Sequence, residues 1–206
     1  MSPVVESYAE LAARILRRPA RLGQTRLVAV DGPSGAGKTL FAGRLAVALD
    51  AATARVEPVT PVVHTDDLLD GWADQFTFWS RLDEWVLAPL RAGRPGRYHR
   101  YDWTLGRFEP GWTVVPPAPV VILEGVSSAR TLIAPELALS VFVTAPARLC
   151  RDRALARDGA ALVPQLTVWR RGERAHFAAD RTVERVDLVV DGAAGPLDSA
   201  AFVRVR

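Results

Sequence analysis

The chain has 206 residues, 49% of them hydrophobic and 24% charged, and a formal net charge of +3. That length and apolar content fit one domain with a two-sided core and exclude a disordered chain. The single cysteine, Cys150, excludes an intramolecular disulfide, and no apolar run is long enough to span a membrane. With Glu6 and Glu10 where a signal-peptide core would stand, the expectation is a cytoplasmic protein.

In chain order, Val4, Tyr8, Leu11 and Ile15 recur at helical spacing and predict an amphipathic helix over Val4–Arg18, stopped by Pro19. Arg26–Val30 predicts the first strand. It leads through Asp31 into Gly32-Pro33-Ser34-Gly35-Ala36-Gly37-Lys38-Thr39, a complete G-x-x-x-x-G-K-[ST] phosphate-binding loop between strand and helix. Its N–H groups can turn inward around anionic oxygens, and the following helix (about Lys38–Leu49) points its positive end at them. The expected nucleotide contacts are Gly32, Ser34, Gly35, Ala36, Gly37, Lys38, Thr39 and Leu40. Lys38 supplies a cation for the terminal phosphates, and the Thr39 hydroxyl is suited to ligate Mg²⁺. Lys38 is the only lysine in the chain. The other basic residues are arginines, a bias that fits a GC-rich genome.

Later apolar runs at Pro61–His64, Val120–Leu123, Leu139–Thr144 and Asp187–Val190 are short, rich in β-branched residues and separated by helical stretches. This pattern predicts a parallel sheet with helices on both faces and ligands at the carboxyl ends of its strands. Trp72–Pro119 departs from the alternation and holds five of the six tryptophans. It predicts an acceptor-side insert: a helix over Thr77–Leu90, then a β-hairpin of Arg97–Trp103 and Trp112–Val115. Residues 1–206 form one domain in this reading, with the insert at about 72–119 and a lid at about 148–163.

Asp66 follows the second strand and is the preferred carboxylate to orient or activate a hydroxyl. Asp67 and Asp70 are weaker competitors that also suit helix capping or solvent. Glu124 ends the strand expected beside the phosphate loop, where it can hold Mg²⁺ with Thr39 and face the acceptor. Arg148, Arg151, Arg153 and Arg157 form a basic stretch. Of these, Arg153 and Arg157 are the expected lid contacts that neutralise charge during transfer. Arg170, Arg171 and Arg174 read as a solvated face. The run Tyr98-His99-Arg100-Tyr101-Asp102-Trp103 can bind a flat acceptor, with Tyr101 and Trp103 as contacts, or can simply pack a hairpin. His64, His176 and Cys150 read as structural.

These motifs resemble the uridine kinase-like branch of P-loop kinases, which also includes phosphoribulokinase and bacterial pantothenate kinase. The resemblance covers about Arg26 to Gly192. It is carried by Val28–Thr39, Thr65-Asp66-Asp67, Arg100-Tyr101-Asp102-Trp103, Val121-Ile122-Leu123-Glu124-Gly125, Arg148-Leu149 with Arg157-Asp158, and Val186–Val190. It implies a P-loop α/β/α sandwich with a five-stranded parallel sheet, and Mg-ATP as donor. It implies Asp66 as catalytic carboxylate, Glu124 on the metal side, Tyr101 at the acceptor and lid arginines at 153 and 157. The chain departs from the family at Asp67-Leu68-Leu69, where an aromatic pair is usual. It departs again at Thr104–Arg107, where a base-reading histidine is usual. The expectation is an ATP-dependent kinase acting on a hydroxyl of a small, nucleoside-like acceptor. A non-nucleoside metabolite is the alternative acceptor, and an ATP-binding switch or scaffold the alternative class. A nucleic-acid or membrane partner is not expected, and self-association is left open.

Overall fold

A computed structural model describes residues 4–53, 59–194 and 200–206. In chain order the strands are β1 (Val4–Ser7), β2 (Arg26–Asp31), β3 (Val62–His64), β4 (Gly96–Asp102), β5 (Arg107–Val115), β6 (Val120–Glu124), β7 (Leu137–Thr144), β8 (Leu188–Asp191) and β9 (Ala201–Arg204). The helices are α1 (Tyr8–Arg17), α2 (Lys38–Thr53), α3 (Trp79–Leu82), α4 (Ala88–Arg91), α5 (Ala147–Asp158), α6 (Val163–Asp180) and α7 (Thr182–Arg185). Among the described residues, no helix is long and apolar enough to cross a membrane.

Seven strands form the main sheet in the order β1-β9-β8-β7-β2-β6-β3. The five expected parallel strands are its body, and β9 and β1 extend one edge antiparallel. The sheet is therefore larger than the five strands expected. The helix over Val4–Arg18 is corrected in the same place. Ser7 caps α1 through its hydroxyl and receives the Glu10 carboxylate in return, a reciprocal box that starts the helix at Tyr8. Val4–Ser7 lies upstream of that cap and pairs with β9, so the helical spacing of Val4 is coincidental.

Alternation along the central strands divides the core. Leu27, Ala29, Val121 and Leu123 face one layer, with the 68–90 segment, Tyr98 and Trp169. Val28, Val30, Ile122 and Val141 face the other, against Leu11 and Ile15 of α1 and Phe41, Leu45 and Leu49 of α2. Both faces are buried, which is why these strands read as unbroken apolar runs.

The expected 77–90 helix is present from Trp79 to Arg91, but its middle turn, Asp83–Leu87, is π-helical. Pro89 follows that wide turn. A proline inside a regular helix would lose a hydrogen bond and crowd the preceding turn, and the wider turn relieves both. The hairpin is longer than expected, because β5 begins at Arg107 and the connection shrinks to 103–106. The stretch expected as a lid consists of α5, a short turn at Ala160–Leu162, and the start of α6.

One glycine brings the ends of β3 and β6 together. Gly125, just after β6, has φ 141°, and a Cβ there would collide with the Thr65 hydroxyl. The chain after β3 can therefore lie directly against the end of β6, which sets Asp66 beside Glu124.

Candidate active site

The phosphate loop is fixed from below by Asp31. This carboxylate is fully buried and accepts N–H bonds from Gly32 (2.7 Å), Ser127 (3.0 Å) and Ala129 (2.9 Å). Burial pushes its pKa up to about 6, against the opposing pull of those N–H groups and of Lys38. The strand end, the loop start and the turn after β6 are thus pinned to one side chain. Gly35, at φ 84°, lets the loop approach α5 so closely that a Cβ would strike the carbonyl of Cys150. The Lys38 ammonium curls back onto the Pro33 carbonyl at 3.2 Å.

Among the described residues, two of the cavities that border the loop take in the residues singled out from the sequence. One, of about 410 Å³, lies against Gly37, Leu40, Phe41, Arg153, Asp191 and Gly192. Arg153 belongs to this side, where it donates to the carbonyls of Gly192 (2.9 Å) and Gly35 (3.4 Å). The other, of about 430 Å³, takes in Ser34, Thr39, Asp66, Glu124 and Arg157 together with Trp103. Thr39, Asp66, Glu124 and Arg157 therefore meet on one side of the loop, whereas Arg153, expected beside Arg157, lies on the other. Arg157 is held in a two-point pair with its neighbour Asp158 at 2.6 and 2.9 Å. Arg148 and Arg151 of the same helix are exposed and pair with Asp152.

At the strand ends Glu124 is nearly buried. Its Oε2 accepts from the Thr39 hydroxyl at 3.3 Å and lies 2.5 Å from His64 Nδ1. Glu124 raises the pKa of His64 through that bond. Burial opposes the shift, and the charges of Glu124, Asp67 and Asp66 reinforce it. Sequence reasoning placed His64 among structural residues. Its position at the end of β3, beside a strand that ends in Glu, was the available signal.

Asp66 opens to the cavity, so solvent reaches it, yet protein crowds it on the other sides. The resulting loss of hydration raises its pKa above the usual carboxylate range. Lys38 and Arg157 pull it down, while Glu124 and Asp67 push it up. Asp67 faces the same cavity but is already engaged, with Arg100 at 3.3 Å and the Tyr98 hydroxyl at 3.3 Å. Asp70 is exposed and lies outside it.

Aromatic side chains from three elements close the far wall. Trp72 meets Trp103 edge-on at 5.1 Å and Trp169 at 5.7 Å. Tyr101 stands behind this wall, packed on Trp103 at 5.1 Å and Phe108 at 5.3 Å, and is not among the cavity-lining residues. Trp72, Trp169 and Arg100 were not singled out individually from the sequence. Cys150 packs in the core as expected, and Arg171 and Arg174 are solvent-exposed.

Thr39 and Glu124 offer hard oxygen atoms at the mouth of the loop, 3.3 Å apart. Among the described residues no group of three or more His, Cys, Asp or Glu forms a dedicated cage. Two oxygen side chains suit Mg²⁺, which takes its remaining ligands from phosphates and water.

No family model matches the sequence, and no curated protein matches it. Solved structures do resemble it. A possible uridine kinase from Bacillus stearothermophilus superposes with a TM-score of 0.65 at 18% identity, over 88% of this chain and 96% of that one. A candidate fructose transport system kinase from Silicibacter gives 0.60 at 21% identity, over 88% and 95%. D-glycerate 3-kinase from Cryptococcus neoformans gives 0.58 at 14% identity, over 93% and 97%. The chain has the fold of P-loop kinases of the uridine kinase-like type.

Proposed function

We propose that this chain is an ATP-dependent kinase that transfers the γ-phosphoryl group to a hydroxyl of a small molecule. The observation that carries the reading is the pair of cavities on either side of one phosphate loop. A hydrolytic switch needs a nucleotide site and a water, whereas a second walled cavity beside the loop provides room for an acceptor. The structural resemblance to kinases named for uridine, fructose and glycerate supports the reaction class.

In this reading the nucleotide lies along Gly32–Leu40, with its base towards the Arg153 cavity. The loop N–H groups and Lys38 stabilise the phosphate charge. Thr39 and Glu124 would hold Mg²⁺, which when bound neutralises phosphate charge and orients the oxygens. The acceptor hydroxyl attacks the γ-phosphorus, the bond to the β-phosphate oxygen breaks, and ADP leaves. Asp66 orients the hydroxyl and takes its proton; a carboxylate with a raised pKa is better suited to accept one. Arg157 faces the charge that develops on the transferred group. The indole wall fits a compact acceptor with an apolar or flat face, and a nucleoside-like compound is the first acceptor class to test. A non-nucleoside polyol is the second.

The test measures ADP formation with Mg²⁺, first without acceptor and then with nucleosides, pantothenate and sugars, with products identified by mass. Acceptor-dependent ADP formation with a phosphorylated product is expected. Hydrolysis that no acceptor stimulates would overturn the kinase reading.

A further inference from the structure

Glu173 lies on α6, is 2% exposed, and takes no part in the chemistry above. Leu166, Trp169 and Glu173 form the buried face of that helix. A carboxylate at such a position is rare unless it is bonded. One oxygen, Oε1, accepts three bonds: from the Ser34 N–H at 2.9 Å, the Ser34 hydroxyl at 2.5 Å and the Trp169 indole N–H at 2.8 Å. The indole N–H also lies 3.0 Å from the Ser34 hydroxyl, which closes a three-membered network.

Its members belong to different parts of the site. Ser34 is the third residue of the phosphate loop, 139 positions from Glu173 in sequence. Trp169 is part of the indole wall and packs against Trp72. The Trp169 backbone is held in turn by the Gln75 amide at 3.1 Å, and the absence of a side chain at Gly172 leaves Gln75 its place.

We infer that Glu173 is a positioning residue that ties the phosphate loop to the acceptor wall, so that nucleotide on the loop and the orientation of Trp169 change together. The inference rests on the loop binding nucleotide, as proposed above. A buried acceptor bonded to both sides leaves neither free to move alone.

The experiment uses Mg-ADP as probe, with calorimetry for binding and tryptophan emission for the wall. In the wild type, ADP binds and the emission changes, and Trp169→Phe removes that change. Glu173→Ala still binds ADP but loses most of the emission change. Glu173→Gln, which keeps an acceptor oxygen, retains it; a merely structural role would not show this rescue. If Glu173→Ala fails to fold, Ser34→Ala tests the same link in part, because it strips the bridging hydroxyl and leaves the Ser34 N–H on Glu173 Oε1. A reduced emission change is expected from it. An emission change of wild-type size in Glu173→Ala or Ser34→Ala, or one that Trp169→Phe leaves intact, overturns the inference. Absence of ADP binding by calorimetry in the wild type overturns the nucleotide reading itself, and the coupling with it.

Discussion

The phosphate end and the acceptor end of the cleft are built in different ways. At the phosphate end, backbone groups do most of the work. Asp31 collects three N–H bonds, and Gly35 and Gly125 allow main chain to pass where a side chain would not fit. The acceptor end consists of side chains brought from afar: Trp72 from a short turn, Trp103 from the hairpin and Trp169 from α6. A backbone cradle tolerates little substitution, while a wall of packed rings can change its ligand without changing the fold. Away from the Glu173 link, the two ends should therefore respond separately to mutation.

The largest separation is expected from Lys38→Met. It removes the cation of the phosphate end, and turnover should fall by roughly 10²–10³-fold, as for loss of one charge-stabilising donor. Circular dichroism and melting temperature should stay near those of the wild type.

Asp31→Asn breaks the same end from below through stability. In the native state Asp31 ionises near 6, against 3.8 for an ordinary aspartate. Below 3.8 both states are protonated and no difference arises. Between the two values the unfolded chain ionises first, so the aspartate's contribution to stability declines as pH rises and is lowest above 6. The decline amounts to at most about 3 kcal/mol. Asparagine has no such decline, but it turns an amide NH₂ towards a backbone donor at every pH. Urea unfolding at pH 4.5 and 7.5 should show wild type ahead of Asp31→Asn by a larger margin at the lower pH. An equal margin at both would contradict the assignment.

Glu124→Gln keeps the shape of the metal side and removes its charge. The Mg²⁺ concentration for half-maximal turnover should rise by about tenfold or more, read from a magnesium titration at saturating ATP. Trp103→Ala is the mildest. It opens the half-exposed edge of the wall and should raise the KM of the acceptor found in the panel by roughly two- to tenfold, leaving ADP affinity unchanged.

How much of this was legible in the sequence follows the same division. The loop, the strands beside it, and Asp66 and Glu124 at their ends are local patterns, because strand ends and glycine turns leave marks within a few residues. The 2.5 Å approach of His64 to Glu124 is the geometric consequence of β3 lying beside β6. The edge strand β1 was hidden because Val4 happens to fall on the spacing of α1. Glu173 was hidden because its partner is 139 positions away, although an acid on the apolar face of α6 was a visible anomaly. The indole wall could be suspected from the density of tryptophan in 72–119. Its membership could not, since Trp169 comes from another element.

The most direct test of two separable ends is Asp66→Asn, measured for ATP binding by calorimetry and for acceptor-dependent ADP formation on the same preparation. ATP affinity is expected within about twofold of wild type, with transfer reduced by roughly 10²–10⁴-fold, the usual loss on removing a general base. Unchanged transfer would remove Asp66 from the mechanism, and a parallel loss of ATP binding would show that the two ends are one.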